Sequence, residues 1–312
     1  MMHRRKVLKT GLGIAAMAGI SQPVMSLAGR VLPKPITRKI YLFSKHLHWV
    51  GYDEMSSMVS DLGYDGIDLT VRPKGHVQPQ HVVRDLPRAV EAADKQGLEV
   101  KMITTAITDA SEQHTENILS TASNLGIKFY RLGWFKYDLS ISISENIRQF
   151  SIAMAKIAEL NARYNLIADY QNHAGTSAGS PVWDVHEILK LANSPYLGVQ
   201  YDIRHAMVEG MNSWPLGLRL LAPHIHTLDI KDFEWTKQDG KWMVQNVPLG
   251  QGAVDFRVFF KLLNELAIAA PISIHFEYPL GGADHGNTQI SIPGSQVLKA
   301  MADDLSYIKS VM

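Results

Sequence analysis

The chain has 312 residues, of which 46% are hydrophobic and 20% are charged, as is typical of a soluble globular protein. Its formal charge of +1 gives no sign of the concentrated basic surface that a nucleic-acid-binding protein needs. The chain contains no cysteine, which excludes disulfides, thiolate chemistry and cysteine-based metal sites.

The first 28 residues predict a removable export signal. Residues 1–9 carry four basic residues and no acid, and a small-residue apolar stretch follows over residues 11–20. Ser26-Leu27-Ala28 then gives a small-x-small cleavage pattern. Residues 3–9 resemble a twin-arginine leader, which exports folded proteins; an ordinary secretory signal and an uncleaved anchor are the alternatives. We therefore expect a periplasmic or otherwise exported protein.

Cleavage after Ala28 changes the charge of the chain. It removes four of the 31 basic residues and leaves 27 against 30 acidic residues, a formal charge of −3. The apolar stretch is too short for a stable span of ~20 apolar residues, so we expect no stable membrane insertion after signal removal. An acidic mature chain also argues against a nucleic-acid partner.

Beyond a predicted linker over residues 29–38, short apolar runs alternate with segments of helical periodicity. The predicted strands are residues 40–43, 66–69, 99–104, 129–132, 166–170, 197–201, 225–230 and 272–276. The clearest helical segments are residues 53–62, 86–96, 115–125 and 147–164. Gly63, Gly97 and Gly126 each follow one of these segments, where a helix end favours a left-handed residue.

Eight such units predict an α/β fold, a single (β/α)8 barrel over residues 39–312. The alternative is an open, doubly wound sheet that binds a nucleotide. That fold needs a glycine-rich phosphate-binding turn after an early strand, and none is present. The longest interruption, residues 233–254, contains the turn Gln238-Asp239-Gly240 and predicts a loop with a small hairpin.

The last four predicted strands end in Asp, Glu, His and Gln side chains. Catalytic residues of such barrels lie at the C-terminal ends of strands, so these ends predict the active site. Strand alternation allows Asp202, His226 and Glu277 to converge on the barrel mouth. Their oxygen and nitrogen atoms suit Mn²⁺, Mg²⁺, Co²⁺ or Zn²⁺, whereas salt bridges and a packed histidine are the structural alternatives. Trp134 follows the fourth strand, where it either stacks on substrate or packs a loop.

The strand ends resemble those of the xylose isomerase-like barrels, the sugar phosphate isomerase/epimerase family. The resemblance extends from Ile40 to about Tyr307. It rests on Asn172-His173, Asp202 with His205, His224-x-His226 before Lys231-Asp232, and Glu277.

The resemblance implies one divalent metal ion and names its ligands, which would be Gln171, Asp202, His226 and Glu277. It also implies that His205 and Lys231 contact substrate hydroxyl groups, and His173 is a further candidate for substrate contact.

Gln171 departs from the family pattern, which has glutamate at this position. An amide oxygen can still ligate a metal, but it brings no charge, so the metal would bind weakly. Glutamine also cannot abstract a proton, so epimerisation by two opposed bases would lose one base. Asp169, two residues earlier and deeper in the barrel, is a weak replacement for the missing ligand.

We therefore expect a metal-dependent enzyme that acts on a carbohydrate next to a carbonyl group. The metal would polarise the carbonyl, Glu277 would take the proton, and Lys231 or His205 would stabilise the enediolate. With one base, isomerisation is favoured over C3 epimerisation, and elimination or hydration of a keto-sugar is the other outcome. An exported enzyme would meet free sugars, oxidised sugars or glycosides.

Two alternatives keep the fold and change the function. One is a non-catalytic sugar-binding barrel whose metal site has decayed at Gln171. The other is metal-assisted hydrolysis of a phosphodiester, which would need more metal ligands and basic loops. The sequence leaves the sugar, the metal and assembly into a homo-oligomer open.

Overall fold

The computed structural model describes residues 36–312, and the predicted export signal and most of the predicted linker lie outside them. Within the described part of the chain, eight parallel strands close into one barrel, which confirms the predicted fold. The strands in chain order are β1 (Ile40–Phe43), β2 (Gly66–Thr70), β3 (Glu99–Thr104), β4 (Phe129–Arg131), β5 (Ile167–Gln171), β6 (Leu197–Asp202), β7 (Ile225–Ile230), β8 (Asp232–Gln238), β9 (Lys241–Val247) and β10 (Ile272–Ile274). Strands β1 to β7 follow one another around the barrel, and β10 closes it between β7 and β1.

Helices cover the outside of the barrel. They are α1 (Tyr52–Leu62), α2 (Val82–Lys95), α3 (Thr115–Asn124), α4 (Ile143–Tyr164), α5 (Val182–Ala192), α6 (Ile203–Gly210), α7 (Trp214–Leu221), α8 (Phe256–Glu265) and α9 (Gly294–Val311). Helix α4 begins four residues before the predicted start because the Ser142 hydroxyl accepts a hydrogen bond from the Glu145 amide and caps the helix there. Gly63 ends α1 at φ 82°, the left-handed conformation that was predicted. No helix within residues 36–312 is long and apolar enough to cross a membrane.

Three consecutive strands end in a tyrosine followed by a polar residue. The tyrosines Tyr130, Tyr170 and Tyr201 are buried against the helices, where their hydroxyl groups donate to Asn161, to the Ala178 carbonyl and to the Trp214 carbonyl. Because side chains alternate along a strand, the next residue on each strand points into the barrel. The residues presented in this way are Arg131, Gln171 and Asp202. The outward tyrosines therefore fix the inward polar layer.

The long segment after β7 forms a hairpin, as predicted. Strands β8 and β9 pair antiparallel across a two-residue turn, in which Asp239 and Gly240 have φ values of 48° and 79°. Asn246 near the base of the hairpin accepts a hydrogen bond from Arg204 and donates one to the Glu277 carbonyl. The hairpin is thus attached to the ends of β6 and β10.

Helix α9 is attached to the barrel through a buried acid. The two oxygens of Asp304 accept hydrogen bonds from the Leu249 amide and from the Tyr278 hydroxyl. Burial raises the pKa of Asp304 to about 7, although both hydrogen bonds lower it. The folded protein therefore holds this proton at a pH where the unfolded chain has lost it.

This shift predicts a pH-dependent stability. The pKa of Asp304 is higher in the folded than in the unfolded chain, so stability should fall as pH rises from about 4 to 7. The Asp304→Asn variant should lose this part of the pH dependence, which urea unfolding at several pH values would measure. The matched control is Asp303→Asn, because Asp303 is exposed on the same helix. Identical pH profiles for the two variants would contradict the assignment.

Candidate active site

The C-terminal ends of the strands bring a polar cluster together at the barrel mouth. Gln171 and Asp202 end β5 and β6, while Lys231 and Glu277 follow the ends of β7 and β10. The Asp202 side chain is 0% exposed, that of Lys231 is 3% exposed and that of Glu277 is 23% exposed. Four of the predicted site residues therefore lie together, and the two carboxylates are largely shielded from water.

The Lys231 ammonium lies at the centre of this cluster. Its Nζ is 2.9 Å from Oδ2 of Asp202 and 3.6 Å from Oε2 of Glu277. Burial lowers the pKa of Lys231, but Asp202, Glu277 and Asp229 raise it more, so that its pKa lies above the ordinary value. Lys231 therefore carries a positive charge inside the barrel mouth.

Glu277 lies between two ammonium groups. Besides Lys231, it contacts Lys45, whose Nζ donates to Oε1 at 3.1 Å. Burial raises the pKa of Glu277, but Lys231 and Lys45 lower it more, and its pKa lies well below the ordinary value. Glu277 is therefore ionised at neutral pH, and its two ammonium partners stabilise the charged form.

The hydrogen-bond partners of Gln171 fix the orientation of its side-chain amide. Its Oε1 accepts a hydrogen bond from Arg131 at 2.9 Å, and its Nε2 donates to Asp202 at 2.9 Å and also to Asp229. Turning the amide over would set its NH₂ against the guanidinium and its oxygen against two carboxyl groups. Gln171 therefore presents a donor, not an oxygen ligand, to the centre of the mouth.

His205 is held in the neutral form. Burial lowers its pKa well below the ordinary value, and Lys231, His173 and Arg204 lower it further. Nε2 lies 2.9 Å from Nζ of Lys231, and Nδ1 lies 2.9 Å from a nitrogen of Arg204. A neutral imidazole has one acceptor nitrogen, so it can accept from only one of these cations. The other cation then has no acceptor on this ring.

Aromatic rings line one side of the mouth. The His173 ring lies 3.9 Å from the His205 ring and 4.6 Å from the Trp134 ring, measured between centroids. The guanidinium of Arg131 lies 4.7 Å from the centre of the Trp134 ring. The residues predicted to bind substrate, Trp134, His173, His205 and Lys231, are therefore contiguous.

His226 does not reach this cluster, which corrects the predicted set of metal ligands. It is the second residue of β7, four residues before the strand end, or about 13 Å at ~3.3 Å per residue. Its Nδ1 lies 2.9 Å from Oδ1 of Asp169, and its ring stacks on Phe129, the first residue of β4. The pairing of β6 with β7 also shifts at His226, which breaks the alternation on which the prediction rested.

The predicted four-residue set does not fit a divalent metal as it is arranged. His226 is distant, Gln171 directs its NH₂ to the carboxyl groups, and Lys231 lies between Asp202 and Glu277. A metal bound to both acids would need oxygens within about 2.0–2.6 Å, in the space that the ammonium takes.

A deeper group in the barrel could hold a metal. Among the described residues, Asp68, Asp229 and His275 offer ligand atoms that all lie within 4.8 Å of one another. Oδ1 of Asp229 lies 3.3 Å from Nε2 of His275, but these two atoms and Nδ1 of His275 make no well-formed hydrogen bond within the described part of the chain. Burial raises the pKa of Asp68 to about 6 and that of Asp229 to about 7. The identity of such a metal does not follow from these ligands.

Several site residues were missed by the sequence analysis. Lys45 follows β1 and Arg131 ends β4, and attention to all eight strand ends would have found both. Conversely, two residues of the family-like pattern are structural. Asn172 exchanges hydrogen bonds with the backbone of Asp202, and Asp232 accepts from backbone amides after β9, those of Gly250, Gly252 and Val254.

Residues 57–301 match the xylose isomerase-like TIM barrel family, and the chain belongs to this family. No curated protein sequence gives a significant match. Among solved structures, the chain is similar to a 3-keto-D-glucoside 4-epimerase from E. coli, with a TM-score of 0.64 and 14% identity over 88% of this chain and 100% of that one.

Two further structures have the same fold. A probable 3-DHS dehydratase from Bacillus anthracis has a TM-score of 0.65 and 16% identity over 86% of this chain and 98% of its own. An L-ribulose 3-epimerase has a TM-score of 0.65 and 14% identity over 88% of this chain and 96% of its own. At these identities the similarity establishes the fold alone.

The placement of His226 predicts a structural role for it. Burial lowers its pKa, but the hydrogen bond and charge of Asp169 raise it more, so that its pKa is raised overall. The His226→Gln variant should lose about 1–3 kcal/mol of stability. Because a raised histidine pKa stabilises the fold at low pH, the loss should be larger below pH 6.5 than above pH 8. Urea unfolding at both pH values measures this difference.

His224→Gln serves as the control, because His224 lies next to β7 and contributes no hydrogen bond to Asp169. A loss of stability that is equal for both variants, or that grows as pH rises, would contradict the proposed pairing of His226 with Asp169.

Proposed function

We propose that the chain is a carbohydrate enzyme that removes a proton from the carbon next to a carbonyl group, with aldose–ketose isomerisation as the first candidate reaction. One observation carries the proposal. The ionised Glu277 carboxylate lies at the barrel mouth between two ammonium groups, those of Lys45 and Lys231. This arrangement combines a proton acceptor with positive charge where an oxyanion would form.

The charges can perform the proton transfer in a simple sequence. In the free protein, Lys45 and Lys231 keep the pKa of Glu277 low, which makes it a weak base. When the two ammonium groups turn to the oxygens of a bound carbonyl compound, Glu277 loses part of this stabilisation and becomes more basic. Glu277 then takes the proton, and the ammonium groups stabilise the enediolate oxygens.

The neighbouring residues favour chemistry with one base. Gln171 cannot accept a proton in this role. Asp202 is fully engaged, because its oxygens accept hydrogen bonds from the His205 amide and from Gln171 and pair with Lys231. Glu277 thus remains as the base, which supports isomerisation, in which one group moves a proton between adjacent carbons, over two-base epimerisation.

The comparisons support the substrate class. Structures with this fold include enzymes named as sugar epimerases and a probable dehydratase. Both kinds of reaction fit a fold that activates a carbon next to a carbonyl group. Trp134 and His173 offer flat faces at the mouth, as binding sites for sugar rings commonly do.

A cleft beside the mouth favours elimination from a keto-glycoside as the second candidate reaction. The cleft has a volume of about 760 Å³ and is lined by His48, His76, Lys74 and Gly286, among others. Gly286 packs against Lys45, so the cleft borders the side of the mouth where Lys45 pairs with Glu277. It offers room for a second sugar or another aglycone. In elimination, Glu277 takes the proton as the C–H bond breaks, a C=C bond forms, the C–O bond breaks, and the departing oxygen takes a proton from Lys231.

We further propose that the enzyme acts outside the cytosol, on free or oxidised sugars. The support is the twin-arginine-like pattern at Arg4 and Arg5, which lies outside the described residues.

A phosphodiester hydrolase is less well supported, because the mouth does not present, among the described residues, the several metal ligands that this chemistry needs. In a sugar-binding protein without activity, Glu277 would serve only as the partner of Lys45 and Lys231.

The proposal predicts that Glu277→Gln lowers turnover by about 10²–10⁴-fold, because glutamine cannot accept the proton. Incubation of the protein with ketoses, aldoses and 3-keto-glycosides in D₂O, followed by NMR, measures both rate and outcome. Deuterium at the carbon next to the carbonyl with a new aldose or ketose indicates isomerisation. An unsaturated sugar indicates elimination.

The control for this variant is Glu265→Gln, since Glu265 lies at the exposed end of α8 and pairs with Arg219. It should turn over substrate like the native protein. Equal activity of Glu277→Gln and the native protein would exclude Glu277 as the base. Inversion at a single carbon as the main product would show a second base and contradict the role of Gln171.

A further inference from the structure

We propose that Lys231 supplies the positive charge that a divalent metal ion would supply at the mouth, so that this position binds no metal. For the role of the charge in turnover, the inference rests on the proposed function. The binding part of the inference stands on the geometry of the mouth alone.

The first argument is the space between the two acids. Nζ of Lys231 is 2.9 Å from Asp202 and 3.6 Å from Glu277, and the lysine side chain is 3% exposed. The ammonium therefore lies where an ion shared by the two carboxylates would lie. A metal could enter only if the lysine left a buried position in which it pairs with both acids.

The second argument is the direction of the donors. Gln171 turns its NH₂ to Asp202 and Asp229 while Arg131 holds its oxygen. Lys231 also directs its donors at Asp202 and at the neutral His205 ring. Oδ2 of Asp202 and Oδ2 of Asp229 are thus already used by N–H groups, whereas a metal ion would need such oxygens as ligands.

The third argument is the charge around the position. Asp202 and Glu277 face the ammonium groups of Lys231 and Lys45, and Arg131 is bonded to the adjacent Gln171. Two carboxylates are therefore matched by two ammonium groups without any further ion. A divalent cation would add two positive charges beside three cationic side chains.

The inference explains why Gln171 and Lys231 occur together. A glutamate at position 171 would bring a third negative charge to the mouth and suit a divalent ion. Glutamine instead brings a neutral donor that fits two acids already paired with lysine. Gln171 and Lys231 are therefore best understood as one arrangement, and changing both should open the position to a metal.

The test is Mn²⁺ binding to the purified full chain, measured by electron paramagnetic resonance and calorimetry. Binding is scored as the part that Asp202→Asn removes, so that Mn²⁺ held by Asp68, Asp229 and His275 does not count. The native chain should show no such Asp202-dependent binding. The double variant Gln171→Glu, Lys231→Met should gain one Mn²⁺ site that the native chain lacks and that Asp202→Asn removes.

The single variant Gln171→Glu is the matched control, since it keeps Lys231 in place. It should remain without the site, and it keeps the inference testable if the double variant fails to fold. Asp202-dependent Mn²⁺ binding by the native chain, or equally tight binding by Gln171→Glu alone, would overturn the inference.

The dependence of turnover on metal ions provides a separate test of the inference. Any turnover found in D₂O should persist after treatment with EDTA in the Asp68→Asn variant, whose deeper group has lost a ligand. Turnover of that variant that EDTA abolishes and Mn²⁺ restores would overturn the inference. If no sugar is turned over, the proposed function fails, while the Mn²⁺ experiments still decide what occupies the mouth. The two failures can therefore be told apart.

Discussion

A buried ammonium group is the constraint on which the barrel mouth depends. Lys231 is almost fully shielded from water, and a charge in that position is stable only when carboxylates pair with it. Asp202 and Glu277 do so from β6 and from the end of β10. Glu277 in turn binds Lys45 after β1. One lysine thus links strand ends from both sides of the point where the barrel closes.

The inward direction of Arg131, Gln171 and Asp202 depends on the tyrosines that are buried on the outer face of the same strands. Tyr130, Tyr170 and Tyr201 are buried with their hydroxyl groups bonded among the helices. A shift of one residue in any of these strands would bury the polar neighbour among apolar helices and turn the tyrosine inward. The packing outside the barrel therefore sets the chemistry inside it.

The sequence predicted the strands within two residues, because each strand is a short apolar run with a clear boundary. The predicted residues Asp202, His205 and Glu277 do lie together at the mouth, because each ends or closely follows a strand. It was wrong about His226, because a strand pattern does not show a register shift or how far along the strand the chemistry lies. Lys45 and Arg131 were missed because their partners are far away in sequence. Glu277 lies 232 positions after Lys45, and Gln171 lies 40 positions after Arg131. Contacts of this kind come from closure of the barrel and have no local signature.

The central position of Lys231 also bears on how the site becomes complete. A site that binds a metal ion is occupied to an extent set by the free ion concentration and its dissociation constant. A cation on the chain is present in every folded molecule, at a local concentration that neither dilution nor chelators in the surroundings change. The site would then be assembled by folding alone, and its occupancy would follow the folding equilibrium instead of the supply of an ion.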